Sequence, residues 1–292
     1  MSHPQGTPGT ARTPDGRELF YQRLPGPEGT PTVVFESGLA ASRSFWGLVQ
    51  PAVSGFATSV AYDRSGLGRS PASPGPRDLD TLAADLNALL DHLGAGPFVL
   101  VGHSWGGPVI RLATAARPDR IAGVVLVDAT DELCGPLFTE QVRKLERPAQ
   151  RMTVLLARLR LLGLAYRRAT AVLPPESRAD IRREGFTVAV TKVRAAELAA
   201  VPSGLNSLRD NPPDLTGIPV TTISGALSSP GMPRGTRAAV TESHRRRALV
   251  TEGGRHVLAP RSGHLVPLTD AELIAEEVQR ILTSRQGPRR TR

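Results

Sequence analysis

The segment that most constrains this chain runs from Phe98 to Ala116. Phe98 to Val101, all apolar, lead without a break into Gly102-His103-Ser104-Trp105-Gly106, and helical spacing follows over Val109 to Ala116, ending before Pro118. A short, wholly apolar run of this kind reads as a buried strand, and the two glycines permit a turn too sharp for larger side chains. The turn lifts Ser104 out of the sheet to the N-terminus of a helix, where free N–H groups and the helix dipole favour a developing oxyanion. The pentapeptide alone is weak evidence, because a tight strand-to-helix turn also uses two glycines. Its setting between an apolar strand and a helix is what makes Ser104 a candidate nucleophile.

The rest of the chain repeats this alternation. Residues 1–16 read as a mobile arm leading into the Asp15-Gly16 turn, and Glu18 to Arg23 as an early strand. Thr32 to Glu36 and Ser59 to Asp63 are further strands, the second closed by Arg64-Ser65-Gly66-Leu67-Gly68. Leu79 to Leu93 carries Leu82, Leu86, Leu89, Leu90 and Leu93 at helical spacing and stops at Gly94. Ile121 to Val127 is another apolar strand, ending on Asp128. Strands alternating with helices predict βαβ units and a mostly parallel sheet covered on both faces.

The alternation breaks over 131–214, which is rich in Arg and Leu and has no convincing strand. Met152, Leu155, Leu156, Leu159 and Leu162 form a stripe read as packing a helical lid onto the core. Aromatic anchors, which a membrane-surface helix needs, are scarce there. Strands resume at Ile218 to Ser224 and Arg255 to Ala259, and Asp270 to Leu282 is a closing helix with Thr269 as N-cap. The organisation expected is therefore an arm at 1–16, a core of 17–130 and 215–284, a helical cap at 131–214 and a disordered basic tail at 285–292.

Composition bounds the function. The formal charge is +9, yet only Lys144 and Lys192 are lysines and the arginines are scattered, with no interleaved aromatics. That pattern is a solvated basic surface rather than a nucleic-acid groove. One cysteine, Cys134, excludes an internal disulfide. No apolar leader and no run of eighteen apolar residues occur, so a cytoplasmic protein with no stable membrane insertion is expected. His and Cys show no metal-ligand spacing and no phosphate-binding glycine loop is present, so neither metal nor cofactor is expected.

A serine at neutral pH needs an adjacent base. Among six histidines, His3 lies in the arm, His92 on a helix, His103 on the elbow, His244 in an Arg-rich stretch and His256 at a strand start. His264 follows the 255–259 strand in a Ser262-Gly263-His264 turn, at the sheet edge where the Ser104 elbow opens. It is the candidate base.

Five segments carry a resemblance: Val33-Val34-Phe35-Glu36-Ser37-Gly38, Tyr62-Asp63-Arg64-Ser65-Gly66-Leu67-Gly68-Arg69-Ser70, Gly102-His103-Ser104-Trp105-Gly106-Gly107, Val124-Val125-Leu126-Val127-Asp128-Ala129 and Ser262-Gly263-His264. In this order they resemble the α/β-hydrolase superfamily over Glu18 to Leu282. The resemblance implies a mostly parallel sheet flanked by helices, with a Ser-His-acid triad of Ser104, His264 and a carboxylate. It also implies an oxyanion hole from the backbone N–H groups of Trp105 and Leu39, although Ser37-Gly38 stands where relatives carry His-Gly. In most relatives the acid follows the penultimate strand, but Ser224-Gly225-Ala226-Leu227-Ser228-Ser229-Pro230-Gly231 holds none, and the next acid, Glu242, lies in Arg-rich sequence. Asp128 is the leading alternative, with Asp131 and Glu132 in the same loop; Asp128 capping a turn is the competing reading. Asp63 and Arg64 read as a structural brace.

The expectation is a cofactor-independent serine hydrolase acting on an ester, lactone or thioester of a small, fairly apolar molecule. An acyltransferase or lactone-forming enzyme on the same triad, and a non-catalytic binding homologue, are the alternatives. Asp128→Asn is expected to lose most acyl-transfer activity while remaining folded.

Overall fold

A computed structural model describes residues 3–135, 140–229 and 231–284. The chain opens with β1 (Thr7–Arg12), β2 (Glu18–Leu24) and β3 (Thr32–Glu36), then α1 (Val49–Ser54), β4 (Ser59–Tyr62) and α2 (Leu79–Leu93). β5 (Phe98–His103), α3 (Gly106–Ala116) and β6 (Ile121–Val127) follow. Next come five helices, α4 (Glu140–Arg158), α5 (Leu162–Ala165), α6 (Arg167–Thr170), α7 (Pro175–Glu184) and α8 (Val188–Asp210). The chain closes with β7 (Val220–Gly225), α9 (Arg234–Val250), β8 (Arg255–Ala259), α10 (Val266–Thr269) and α11 (Ala271–Ser284).

The eight strands form one sheet in the order β1-β2-β4-β3-β5-β6-β7-β8. β1–β2 and β2–β4 pair antiparallel, and every later pair is parallel. Strand side chains alternate between faces. Val34, Val60, Leu100 and Val124 pack with Leu82, Leu86 and Val109 from α2 and α3. Val33, Phe35, Val99, Val101 and Val125 pack on the other face with Val49, Ile274 and Val278 from α1 and α11. Burial on both faces explains why these strands are continuously apolar in sequence. The C-terminal ends of β3, β5, β6 and β7, with the loop after β8, gather at one edge, which is where an open α/β sheet binds its ligands.

Three readings are revised. Thr7–Arg12 is no arm: it pairs with β2 from Thr7↔Arg23 to Arg12↔Glu18. Ahead of it the fully buried Gln5 amide donates to the Arg43 carbonyl at 2.9 Å and to Gln50 Oε1 at 3.0 Å. Its polar, glycine-containing sequence suits an edge strand with one solvated face, which carries little hydrophobic signal. Residues 285–292, read as a tail, lie outside the described residues.

The Leu-rich stripe also points elsewhere. α4 stops at Arg158 and Arg160 takes a left-handed φ of 59°, so the helical wheel does not run through to Leu162. Met152, Leu155 and Leu159 are exposed, whereas Ala157 and Leu162 are buried. Finally, the last helix starts at Ala271; Thr269 ends α10, and the Asp270 carboxylate instead accepts from Arg261 N–H at 3.1 Å and Ser262 Oγ at 2.7 Å. That brace holds the loop bearing His264. Among the described residues no helix is long and apolar enough to cross a membrane.

Candidate active site

The elbow between β5 and α3 has no room for side chains on its glycines. A Cβ on Gly102 would lie 2.6 Å from the Gly106 carbonyl oxygen, and one on Gly106 would lie 2.5 Å from that of Glu36. Ser104 adopts φ of 52°, the left-handed region that L-residues enter at a cost, and the surrounding contacts hold it there. Its N–H donates to the Val127 carbonyl at 3.1 Å, and its own carbonyl accepts from Gly107 and Thr130 N–H.

His264 and Asp128 meet this serine. Ser104 Oγ lies 3.1 Å from His264 Nε2, and His264 Nδ1 lies 2.7 Å from Asp128 Oδ2. Asp128 is itself in the left-handed region, with φ of 41°, which turns its carboxylate across β7. There Oδ1 accepts from Gly225 N–H at 3.0 Å. The other fixed partner is Arg237, from α9: its Nη1 donates to Oδ2 at 3.0 Å and its Nη2 lies 2.9 Å from Oδ1. Burial pushes the Asp128 carboxyl upward, but the His264 hydrogen bond and the nearby His264, His244 and Arg237 charges outweigh it and hold the group below its usual range.

The other acids go elsewhere. Asp131 accepts from Arg247 at 2.9 and 3.0 Å, and Glu132 accepts from Arg111 at 2.7 and 2.9 Å. Glu242 pairs with Arg245 and Arg246 at the surface. Of the carboxylates weighed from sequence, the structure brings only Asp128 to His264.

His103 lines the same site and buttresses its neighbour. Burial and the adjacent His264 ring push it down to about 3, so it is neutral. Its Nε2–H then donates to the His264 backbone carbonyl at 2.8 Å, with the two rings 4.8 Å apart.

The loop after β3 supplies the facing wall. A Cβ on Gly38 would lie 3.1 Å from Ser104 Cβ, so the glycine permits the loop to run against the serine. Among the described residues the backbone N–H groups of Leu39 and Trp105 have no protein acceptor, whereas that of Ala40 donates to Glu197 Oε2 at 3.0 Å. Arg64 fastens this loop: Nη2 donates to the Gly38 carbonyl at 2.7 Å and to Glu197 Oε2 at 2.9 Å, and Nη1 reaches Glu36 and the Ser37 carbonyl. Asp63 accepts from Arg43, which also holds Asp180 and Glu184 of α7. The Asp63-Arg64 pair is thus a brace, and it ties the core to α7 and α8.

Ser104, His264, His103 and the loop after β3, with Leu39 and Phe45, line a cavity of about 380 Å³ whose facing wall comes from the segment between β6 and β7. Among the described residues no group of three His, Cys, Asp or Glu side chains is arranged to hold a metal ion. Sequence reasoning missed Arg237, Glu197 and the bracing role of His103. Arg237 carried no local signal, since it sits among basic residues that read as solvated surface.

Comparison with known proteins agrees with this architecture. A non-heme chloroperoxidase of Streptomyces lividans is 39% identical over 124 residues, which cover 41% of this chain and 44% of the relative. Lipase LipV of Mycobacterium tuberculosis is 38% identical over 125 residues, covering 43% and 47%. The chain thus matches less than half the length of these curated relatives. Among solved structures, the epoxide hydrolase CorEH superposes with a TM-score of 0.74 at 20% identity, covering 95% of this chain and 99% of that one. An esterase from Thermogutta terrifontis gives 0.69 at 21% identity, covering 96% and 99%. Residues 31–183 match the family described as alpha/beta hydrolase fold, and they make up more than half of the chain. With the sheet order and elbow above, the chain belongs to the α/β-hydrolase fold family.

Proposed function

We propose that this protein is a serine hydrolase that cleaves a carboxylic ester, lactone or thioester of a small molecule through Ser104, His264 and Asp128. The observation that carries the reading is the unbroken contact chain from Ser104 Oγ to His264 Nε2 at 3.1 Å and from His264 Nδ1 to Asp128 Oδ2 at 2.7 Å, with Ser104 and His264 at the wall of a cavity. In this reading Ser104 Oγ attacks the carbonyl carbon as His264 Nε2 takes its proton, and the carbonyl oxygen becomes an oxyanion facing Leu39 and Trp105 N–H. Collapse breaks the bond to the leaving group, which departs with the proton from His264. Water, deprotonated by His264, then attacks the acyl-serine and releases the acid and free Ser104. Asp128 keeps the Nδ1 proton in place and offsets the imidazolium charge.

Residues 17–130 and 215–284 form the catalytic core in this reading, and 131–214 is the lid. Esterases and lipases among the relatives support ester substrates as a class. A serine at position 104 disfavours an alkyl-enzyme mechanism of the kind an aspartate would serve. The test is covalent labelling with an uncharged fluorophosphonate beside turnover of nitrophenyl esters. The wild-type chain is expected to incorporate one equivalent and Ser104→Ala none; labelling that persists in Ser104→Ala removes the reading.

A further inference from the structure

Charge on the cavity wall points to a narrower substrate class, an inference that rests on the serine-hydrolase reading. Among the described residues lining the cavity, Arg194 of α8 is the only Lys, Arg, Asp or Glu. The chain neutralises its other inward guanidinium groups with carboxylates: buried Arg43, Arg64, Arg111, Arg237 and Arg247 each have at least one. Arg194 is half-buried and, among the described residues, has none. Glu197, one turn further along the same helix, is already engaged by Arg64, Arg77 and Ala40 N–H. What Arg194 has instead is a neutral clamp. Gln150 of α4 donates to the Thr191 carbonyl at 2.7 Å and accepts from Arg194 Nη1 with its amide oxygen. The guanidinium is thus oriented without being discharged.

We propose that Arg194 recognises a carboxylate on the substrate, remote from the bond that is cleaved. A neutral ligand that displaces water from this wall leaves a cation without a counter-charge, which is unfavourable. A carboxylate gains charge-assisted hydrogen bonds from the free edge of the guanidinium. Beside the hydroxyl-bearing Thr153, Tyr166, Thr170 and Thr191, the lid wall carries apolar Leu162, Ile181, Phe186 and Val190, which suit an aliphatic spacer between the ester and the anion.

The test compares matched ester pairs. One series sets p-nitrophenyl monoesters of glutaric, adipic and suberic acids against nitrophenyl esters of straight-chain alkanoic acids of equal length. The other sets acetates of ω-hydroxyalkanoic acids against acetates of the matching alkanols, so that either side of the ester is probed. The wild-type chain is expected to favour the anionic member in kcat/KM by about 10- to 100-fold in at least one series, the span of a charged hydrogen bond. Arg194→Met should abolish the preference, and Arg194→Lys should keep part of it. Calorimetric titration of Ser104→Ala and Ser104→Ala/Arg194→Met with the same pairs reads affinity without turnover. No preference for the anion in rate or affinity, or a preference unchanged in Arg194→Met, overturns the Arg194 assignment. Anion-selective binding that depends on Arg194, with no labelling of Ser104 and no turnover, overturns the hydrolase reading instead.

Discussion

Asp128→Asn, set beside Asp128→Asn/Arg237→Met, separates the electrostatic role of this carboxylate from the chemical one proposed for it, and Arg237 is the reason. Asp128 is fully buried, Arg237 is 4% exposed, and their polar atoms approach to 2.9 and 3.0 Å. Two unit charges 3 Å apart attract by roughly 5–6 kcal/mol at an effective dielectric constant of about 20, before desolvation is charged against them. Among the described residues Arg237 has no other carboxylate, and its Nε has no partner. Removing the negative partner of a buried pair typically costs about 3–5 kcal/mol, because the surviving charge stays buried. Asp128→Asn is therefore expected to lose about 3 kcal/mol or more, a large part of an ordinary domain's ~5–15 kcal/mol. The variant is thus expected to remain folded, as the sequence reading has it, but with a much smaller margin of stability.

The double variant Asp128→Asn/Arg237→Met removes both charges and should recover most of that loss. Activity should not return: an asparagine donates to His264 Nδ1 rather than accepting from it, leaving the wrong tautomer for proton abstraction, which costs roughly 10⁴-fold. Urea unfolding can be followed by fluorescence of Trp46 and Trp105, both fully buried. With a slope of about 2–3 kcal/mol per molar, the single variant's midpoint should fall by roughly 1 M and the double variant's by much less. A single variant as stable as wild type, or a double variant no more stable than the single, refutes the charge pair. Wild-type turnover in either refutes Asp128 as the acid.

Two further outcomes follow from the same contacts. Gly102→Ala places a Cβ 2.6 Å from the Gly106 carbonyl oxygen, backbone that cannot yield cheaply, so it should cost about 1–3 kcal/mol and slow phosphonate labelling together; a variant with wild-type midpoint and labelling rate contradicts the packing. Burial raises Asp131 and Glu132, but hydrogen bonds and charge from Arg247 and Arg111 outweigh it and hold both below their ordinary 3.8 and 4.5. Groups depressed in the folded state stabilise it above the unfolded values and lose that contribution as pH falls through the folded ones, so the urea midpoint should drop steeply below about pH 4. A midpoint that stays flat from pH 5 to pH 3 would contradict this.

Local chemistry was legible wherever one residue's neighbours in sequence were also its neighbours in space. Gly102 and Gly106 flank Ser104 within one turn, and Phe98 to Val101 is apolar because both faces of β5 are covered. Pairings across the fold were not legible. Arg237 meets Asp128 from 109 positions away, and Arg64 meets Glu197 from 133. Nothing in an Arg-rich stretch says which arginine turns inward, since Arg245 and Arg246 stay with Glu242 at the surface while Arg247 is buried on Asp131. Leu155 misled for a related reason: helical spacing reports an apolar face, not what that face meets.

The missing carboxylate after β7 has a geometric counterpart. For His264, which follows β8, to engage an acid at the end of β6, it has to reach past β7. A Cβ on Gly225, the last residue of β7, would lie 2.0 Å from the Gly263 carbonyl oxygen, so the strand end and the histidine loop touch backbone to backbone. That approach leaves β7 contributing an N–H instead of a side chain, and the Gly225 N–H is the donor on Asp128 Oδ1. The carboxylate thus lies across β7, fixed by the backbone beneath it, by Arg237 from α9 and by His264 from the loop above. An acid at this position therefore goes with two features together: a residue that tolerates φ of 41° at the end of β6, and glycine at the end of β7. Asp128 and Gly225 supply both.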